Sequence, residues 1–291
     1  MLGTELRKAV GRRNPWFWGV MAGGMLLACL SAARSEEVFS NTLALSLQYW
    51  NTTDPGYSVA TCFSFWLPVQ VTDVFTGVFL LVWPLMAAIP YAWAWNVELR
   101  SGVLAQEASR ASRRSCYVAK ALAAFVAAAL SVAVPLVANL VMCACIAPAA
   151  PNWISDVLYL GVWCDAPLSS LFYCAPWAYC VAWTAIVALV AGLWGTTVCA
   201  VSTLDRSFVE TMVAAYLSLH VLAFVGRQAQ TYLSMAMGSD AGRSALPSLD
   251  LFSVVGVRSS PDATQALLLA IAILALASVL VPALALKRDV L

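Results

Sequence analysis

The chain has 291 residues and a formal net charge of +1, and 62% of its residues are apolar while only 11% are charged. Soluble globular domains carry about 25% charged residues, so this composition excludes that class and indicates a membrane protein. We expect no nucleic-acid partner.

Six apolar runs are long enough to cross a membrane, since a helix needs about 20 such residues to span ~30 Å of hydrocarbon. None alternates as a strand would, which argues against an outer-membrane barrel. We predict an all-α polytopic membrane protein in which residues 1–291 form one transmembrane domain. The expected spans are 16–34, 73–95, 117–147, 174–201, 207–226 and 264–286.

The cationic residues are distributed unevenly between the two sides of such a bundle. If the spans alternate in direction, twelve of the sixteen Lys and Arg residues lie on one side. Cytoplasmic loops are enriched in these residues, so we predict a cell-membrane protein with both termini in the cytoplasm. Residues 35–72, 148–173 and 227–263 are then extracytoplasmic, and the apolar patch Phe63–Val69 is expected at the outer membrane interface.

The first 14 residues have apolar side chains at helical spacing beside several cations. Leu2, Leu6, Ala9 and Val10 would form one face of an amphipathic helix at the membrane surface. A basic tail that only sets the topology is the alternative. The first span also resembles a signal peptide cleaved after small residues at 31–33, although we expect an uncleaved anchor.

Residues 97–116, here called the charged segment, separate the second and third apolar runs. Their charges cannot lie in hydrocarbon, so the segment must be at the cytoplasmic surface. A helix over Val97–Glu107, interrupted at Gly102, is compatible with the sequence. The simplest interpretation is a loop whose arginines only enforce topology.

The usual catalytic patterns are missing from the sequence. His220 is the only histidine, and neither a GxSxG serine nor a GxxxxGK[ST] phosphate loop occurs. We therefore expect no enzyme activity, catalytic residue, metal or cofactor on this chain. Asn139 and His220 are expected to line a pathway or join helices within the membrane. Cys62 and Cys164 are candidates for a disulfide on the outer side.

Two motifs, the first in the charged segment and the second at its end and in the start of the third span, resemble a known family of transporters. The pattern Glu98-x-x-Ser101-Gly102-x-Leu104, followed by Ser112-Arg113-Arg114-x-x-Tyr117-x-x-Lys120, is similar to the signature of type-2 ABC exporter permeases. The outer segment 171–179, the turn at 205–206 and the tail 286–291 also resemble that family. One departure is Arg110-Ala111, where many members carry a proline.

The resemblance implies a permease subunit that docks a separate ABC ATPase, which binds ATP and Mg. A second permease subunit, identical or not, would complete the pathway within the lipid membrane. The implied coupling residues are Glu98, Arg100, Gly102, Glu107, Arg110, Arg113 and Arg114. We expect Glu98, Arg100 and Glu107 to be exposed for this docking. The alternative is a non-transporting scaffold or assembly factor that recruits a soluble partner through the same segment.

The spans indicate the class of substrate such a permease would move. Apart from their ends, five of the six lack Asp, Glu, Lys and Arg, and the fifth adds only His220. Aromatic residues and small ones such as Gly192 and Gly195 would suit an amphipathic or apolar molecule. We expect an exporter of that kind of substrate.

Overall fold

The computed structural model describes most of the chain, with gaps in the connecting segments. The described residues are 1–50, 61–70, 73–102, 112–151, 162–202, 207–238, 250, 252, 255–257 and 262–287. Within them the regular secondary structure is entirely helical, which confirms the predicted all-α class. The helices are α1 (Leu2–Val10), α2 (Pro15–Trp50), α3 (Val74–Ala88), α4 (Ala92–Arg100), α5 (Arg113–Ile146), α6 (Ser169–Cys174), α7 (Pro176–Val201), α8 (Phe208–Met237) and α9 (Ala263–Lys287).

Six stretches of helix are long and apolar enough to cross a membrane, as predicted. They are Pro15–Ala44, Val74–Glu98, Arg114–Ile146, Pro176–Val201, Phe208–Met237 and Ala263–Leu280. This arrangement indicates a multi-pass membrane protein. We call the end of the bundle that carries α1 the α1 end, and the other the opposite end.

Two helices run well past the ends of their predicted spans. The first apolar run stops at Arg34, but α2 continues to Trp50, and α8 likewise continues beyond Arg227 to Met237. No proline or glycine interrupts either extension, and an ion pair between Arg34 and Glu37 on adjacent turns stabilises the first. The length of each apolar run therefore predicted the membrane span but not the residue at which the helix ends.

The second span is built from two helices with a break between them. α3 ends at Ala88, a turn covers residues 89–91, and α4 begins at Ala92. Pro90 lies in this turn and has no backbone N–H to donate, which accounts for the interrupted helix. Pro84, by contrast, is accommodated inside α3.

The core lies where α5 packs on α7, the most extensive helix–helix contact of the bundle. A Cβ at Gly195 would lie 2.4 Å from the Cβ of Ala128 and 2.9 Å from the carbonyl oxygen of Ala87. At Gly192 it would lie 2.5 Å from the ring of Phe125. Both glycines permit close helix approach, so the expectation that they offer a surface to a substrate is wrong for this fold.

The predicted position of the apolar patch Phe63–Val69 is also wrong. Residues 61–70 form turns rather than a helix, and they lie inside the bundle at the opposite end. The side chains of Phe63, Trp66 and Leu67 are completely buried. The patch is apolar because it packs against protein, not because it rests on the membrane surface.

Candidate functional site

The described parts of the charged segment are its two helical ends. α4 ends at Arg100, and Gly102 follows with a φ of 72°, a left-handed conformation that glycine adopts without strain. On the other side, Ser112 caps α5 by accepting a hydrogen bond from the backbone N–H of Ser115 at 3.3 Å. Glu107 and Arg110 lie outside the described residues.

The remaining cations of the segment lie in the helices at its ends. Arg100 is the last residue of α4 and Arg113 the first of α5, and their side chains are outside the described part of the structure. Arg114 is exposed in the first turn of α5. The described ends thus leave Arg114 accessible to a partner.

Glu98 is placed differently from what we expected. Its side chain is only 14% exposed and forms ion pairs with Lys8 of α1 and Lys120 of α5. The expectation that Glu98 is exposed is therefore wrong. Its contacts lie within the bundle, where it joins helices from three parts of the chain.

These contacts belong to a cluster of two cations and two anions: Glu5, Lys8, Glu98 and Lys120. Nζ of Lys8 lies 2.8 Å from Oε1 of Glu5 and 2.8 Å from Oε1 of Glu98. Nζ of Lys120 contacts Oε2 of Glu98 and lies 3.4 Å from Oε2 of Glu5. Each lysine is thus shared by both carboxylates, and the formal charges of the four-charge cluster cancel.

Burial makes this mutual neutralisation necessary. Lys120 is 0% exposed and Glu5 is 1% exposed, whereas Lys8 remains 42% exposed at the edge. An isolated buried charge is strongly disfavoured, and removing one partner of a buried pair costs about 3–5 kcal/mol. We infer that α1, α4 and α5 are held in one arrangement because no member can leave without uncovering a charge.

The same environment shifts the pKa values of the two α1 residues in the cluster, Glu5 and Lys8. Burial opposes the charged form of Glu5, but hydrogen bonds from Lys8 and Tyr91 and the charge of Lys120 hold its pKa below the usual value. Burial likewise disfavours charged Lys8, yet its bonds to Glu5 and Glu98 raise its pKa above the usual value. Both groups are therefore charged around neutral pH.

The break in the second span is bonded to the amino-terminal residues at two points. The hydroxyl of Tyr91 donates to Oε2 of Glu5. Nδ2 of Asn14 donates to the carbonyl oxygens of Ala9 and Pro90, both at 2.8 Å. The Asn14 side chain also accepts from the first backbone N–H groups of α2 and so caps that helix. The amino-terminal residues therefore brace the turn that connects α3 to α4.

Two further hydrogen bonds fix α4 from the other side. Nδ2 of Asn96 donates to the carbonyl oxygen of Ser202 at 2.7 Å, and Oγ of Ser202 donates to the carbonyl oxygen of Ala92 at 3.2 Å. α4 is thus tied to the end of α7 as well as to α1 and α5. Movement of the charged segment would reach several membrane-spanning helices through these bonds.

Asn139 and His220 have different surroundings. Asn139 is fully buried in α5, donating to the carbonyl oxygen of Ala28 at 3.1 Å and accepting from the backbone N–H of Leu67 at 2.9 Å. His220 is half-buried in α8, with Nδ1 3.1 Å from the carbonyl oxygen of Tyr216 and its ring against Phe252. The structure therefore keeps these two residues in separate places.

The predicted disulfide is not formed. Cys62 and Cys164 are both free thiols, the first buried and the second exposed. No group of three or more His, Cys, Asp or Glu side chains that could hold a metal ion occurs in the described ranges. In the described part of the site, the chemistry is that of fixed charges and hydrogen bonds.

Sequence reasoning missed Glu5, Lys8 and Lys120 as members of the site. A signal was present for Glu5, which lies three residues after Leu2 and four before Ala9, on the apolar face of α1. A carboxylate on that face requires a buried cation. Lys120, just inside an apolar run, is the kind of residue that could supply it.

Comparison with known protein families, with curated proteins and with solved structures finds no match to this chain.

Proposed function

We propose that this chain is the membrane-spanning permease subunit of an ATP-driven exporter of the type-2 ABC kind. A separate ABC ATPase would bind ATP and Mg and dock on the charged segment. A second permease subunit would complete the pathway in the cell membrane, with both termini in the cytoplasm. The substrate would be an amphipathic or apolar molecule.

The observation that carries this proposal is the ion pair between Glu98 and Lys120. These residues lie on the helices at the two ends of the charged segment, so the pair fastens α4 to α5. A force applied to the segment between them would move both helices together rather than bend a loose loop. Coupling of ATPase closure to a transport pathway requires this kind of rigid connection.

The exposed charges of the segment would then provide recognition. Arg114 is exposed, and residues 103–111, which include Glu107 and Arg110, complete the connection between α4 and α5. Charge complementarity would set the register and specificity of docking more than its affinity. In this proposal Glu98 transmits force inside the bundle, while Arg100, Glu107 and Arg110 contact the ATPase.

Charge reversal in the segment tests the proposal. Arg100→Glu combined with Glu107→Lys should abolish co-purification with the ATPase and its stimulation, because both charges would oppose the partner's. The matched control is Arg34→Glu with Glu37→Lys, which exchanges an exposed ion pair on α2. That control should bind normally, and both proteins should reach the membrane in normal amounts.

The outcome of this experiment distinguishes the proposed transporter function from the alternative scaffold function. If the double variant in the charged segment still binds and stimulates the ATPase, the docking assignment is wrong. If the chain instead captures a soluble partner that lacks a phosphate loop, the scaffold function is supported. A phosphate-loop ATPase encoded beside this chain would be the natural partner for the first experiment.

A further inference from the structure

The segment Thr61–Gln70, here called the plug, enters the bundle at the opposite end. Trp66 donates from Nε1 to the carbonyl oxygen of Leu136 at 3.1 Å, and the backbone N–H of Leu67 donates to Asn139. Asn139 and Leu136 lie seven and ten residues before the end of α5. At 1.5 Å per residue, the plug reaches about 10–15 Å below that end.

Inside a membrane-spanning bundle, non-helical backbone is tolerated only where protein or trapped water satisfies it. The plug meets that condition through bonds to its surroundings. In addition to the Leu67–Asn139 bond, Sγ of Cys143 donates to the carbonyl oxygen of Phe65 at 3.5 Å. The backbone N–H of Cys62 donates to the carbonyl oxygen of Pro148 at 3.1 Å. The plug is therefore a fitted element of the closed bundle.

A second stretch of chain covers the other side of the plug. The backbone N–H of Val257 donates to the carbonyl oxygen of Pro68 at 2.8 Å, and Nε1 of Trp183 in α7 donates to the carbonyl oxygen of Val255 at 3.1 Å. Phe63 of the plug also packs edge-on against Trp177 of α7. Residues from both sides of the bundle thus converge on the plug and close this end.

Asn139 of α5 bonds both to the plug and to α2. Its Oδ1 accepts from the plug while its Nδ2 donates to α2, so one side chain on α5 joins three parts of the chain. The plug has no helix or strand of its own to keep it in position. Its hold on the bundle comes from side-chain bonds, from the backbone bonds to Pro148 and Val257, and from its buried aromatic and apolar side chains.

We propose that the plug is a releasable seal that closes the bundle at the end opposite α1, and that Asn139 is the latch that keeps it shut. Withdrawal exposes buried aromatic surface and therefore requires an energy input. ATP turnover by the docked partner supplies it, and in this respect the inference rests on the proposed function. The seal opens once in each cycle to let the substrate leave the bundle.

The cysteines of the chain report local opening directly. Cys62 is buried within the plug and Cys143 beside it, Cys199 is buried near the α1 end, and Cys164 and Cys174 are exposed. In lipid nanodiscs, a water-soluble maleimide read out by mass spectrometry should modify the exposed pair rapidly. Asn139→Ala should raise modification of Cys62 and Cys143 at least tenfold while Cys199 stays protected.

The matched control is Asn96→Ala, which removes a buried asparagine bond at the α1 end and should leave Cys62 and Cys143 protected. If Asn139→Ala raises the modification of Cys199 equally, the variant has loosened the whole bundle and the latch is disproved. If it raises none of the three, Asn139 does not hold the plug.

A reversible lock tests the link to transport. In Leu67→Cys with Asn139→Cys, oxidation should bond the plug to α5, and a reductant should release it in the same protein. The oxidised form should lose at least tenfold in ATP-driven flux of a fluorescent short-chain phospholipid, yet still bind the ATPase. Equal flux in the oxidised and reduced forms would contradict the proposal that the plug is a seal.

A wild-type protein that never binds an ATPase would contradict the proposed function instead. The maleimide experiment would still show whether the plug is released.

Discussion

Nζ of Lys120 lies 3.4 Å from Oε2 of Glu5, so the first turns of the chain contact a lysine in the third membrane-spanning region. Both side chains are almost completely buried, and Glu98 contacts the same lysine. The pairing explains how α1 can carry a carboxylate on its apolar face. It also makes the amino-terminal residues part of the structure that supports the charged segment.

Replacing Lys120 by Met should destabilise the protein by about 3–5 kcal/mol, because Glu5 and Glu98 would then share a site with only Lys8 to neutralise them. Thermal unfolding of the purified protein in detergent would measure the change. Glu98→Gln combined with Lys120→Met restores a neutral cluster and should recover part of the loss. Arg114→Met, at an exposed position on the same helix, should change stability by no more than about 0.5 kcal/mol.

Acidification should release α1 from the bundle. The pKa of Glu5 is lowered from 4.5 in the folded protein, so its stabilising contribution is present above pH 4.5 and is lost as the pH falls through the lower folded value. Protonated Glu5 can no longer pair with Lys8 and Lys120, although Tyr91 can still bond it. Hydrogen exchange of the α1 amides, corrected for the intrinsic effect of pH, should show constant protection from about pH 5 to 8 and a loss below it.

Glu5→Gln provides the control for that measurement. Its amide cannot ionise, so α1 should be less protected at neutral pH and the acid-dependent loss that Glu5 causes should vanish. An unchanged acid profile in this variant would assign the loss to another group.

Gly195→Ala should destabilise the bundle by about 1–3 kcal/mol, since its new methyl group would lie within contact distance of the Ala87 carbonyl, which is backbone and cannot rotate away. Gly19→Ala is the matched change on α2, where no atom lies within 4 Å of the added Cβ. It should be neutral or stabilise the helix by up to about 1 kcal/mol. Equal effects of the two substitutions on thermal unfolding would contradict the close packing of α7 against α3 and α5.

Local patterns in the sequence predicted the helices but not the contacts between distant residues. Apolar length was enough for the six spans, because crossing hydrocarbon requires it. Pro90 is a local signal for the break in the second span, because proline has no backbone N–H to donate. The extension of α2 to Trp50 was missed, because apolar length predicts the membrane-spanning part of a helix and not the residue at which the helix ends.

The site was harder to predict because its members are far apart in the chain. Glu98 stood out by its charge, but its partner Lys8 lies 90 residues away, and no local spacing brings the two together. The plug shows the same limit. Its apolar residues were expected at the outer membrane interface, and only the fold brings Leu67 to Asn139, 72 residues later.

Both termini should be found in the cytoplasm. Twelve cations against four favour this orientation, and Lys and Arg near span ends determine topology. Reporter fusions after Leu291, and a cysteine introduced ahead of Leu6 for labelling from either side, would establish the orientation. A signal from outside the cell at the carboxyl end would overturn the proposed six-span topology.

The transported molecule should be amphipathic or apolar rather than an inorganic ion. A dehydrated ion needs charged or oxygen ligands at mid-depth, where an exposed charge costs about 2.5–3.5 kcal/mol even on insertion scales. In the described spans, the buried charge of Lys120 is committed to Glu5 and Glu98, and the buried amide of Asn139 is committed to Leu67 and Ala28.

Reconstitution with the ATPase in liposomes, tested against a panel of lipids, hydrophobic peptides and cationic dyes, should therefore give ATP-dependent flux of at least one amphiphile. Inorganic ions measured in the same vesicles should give none. If an inorganic ion is transported and no amphiphile is, the prediction is wrong. The pathway would then contain polar ligands that the helix packing described above does not provide.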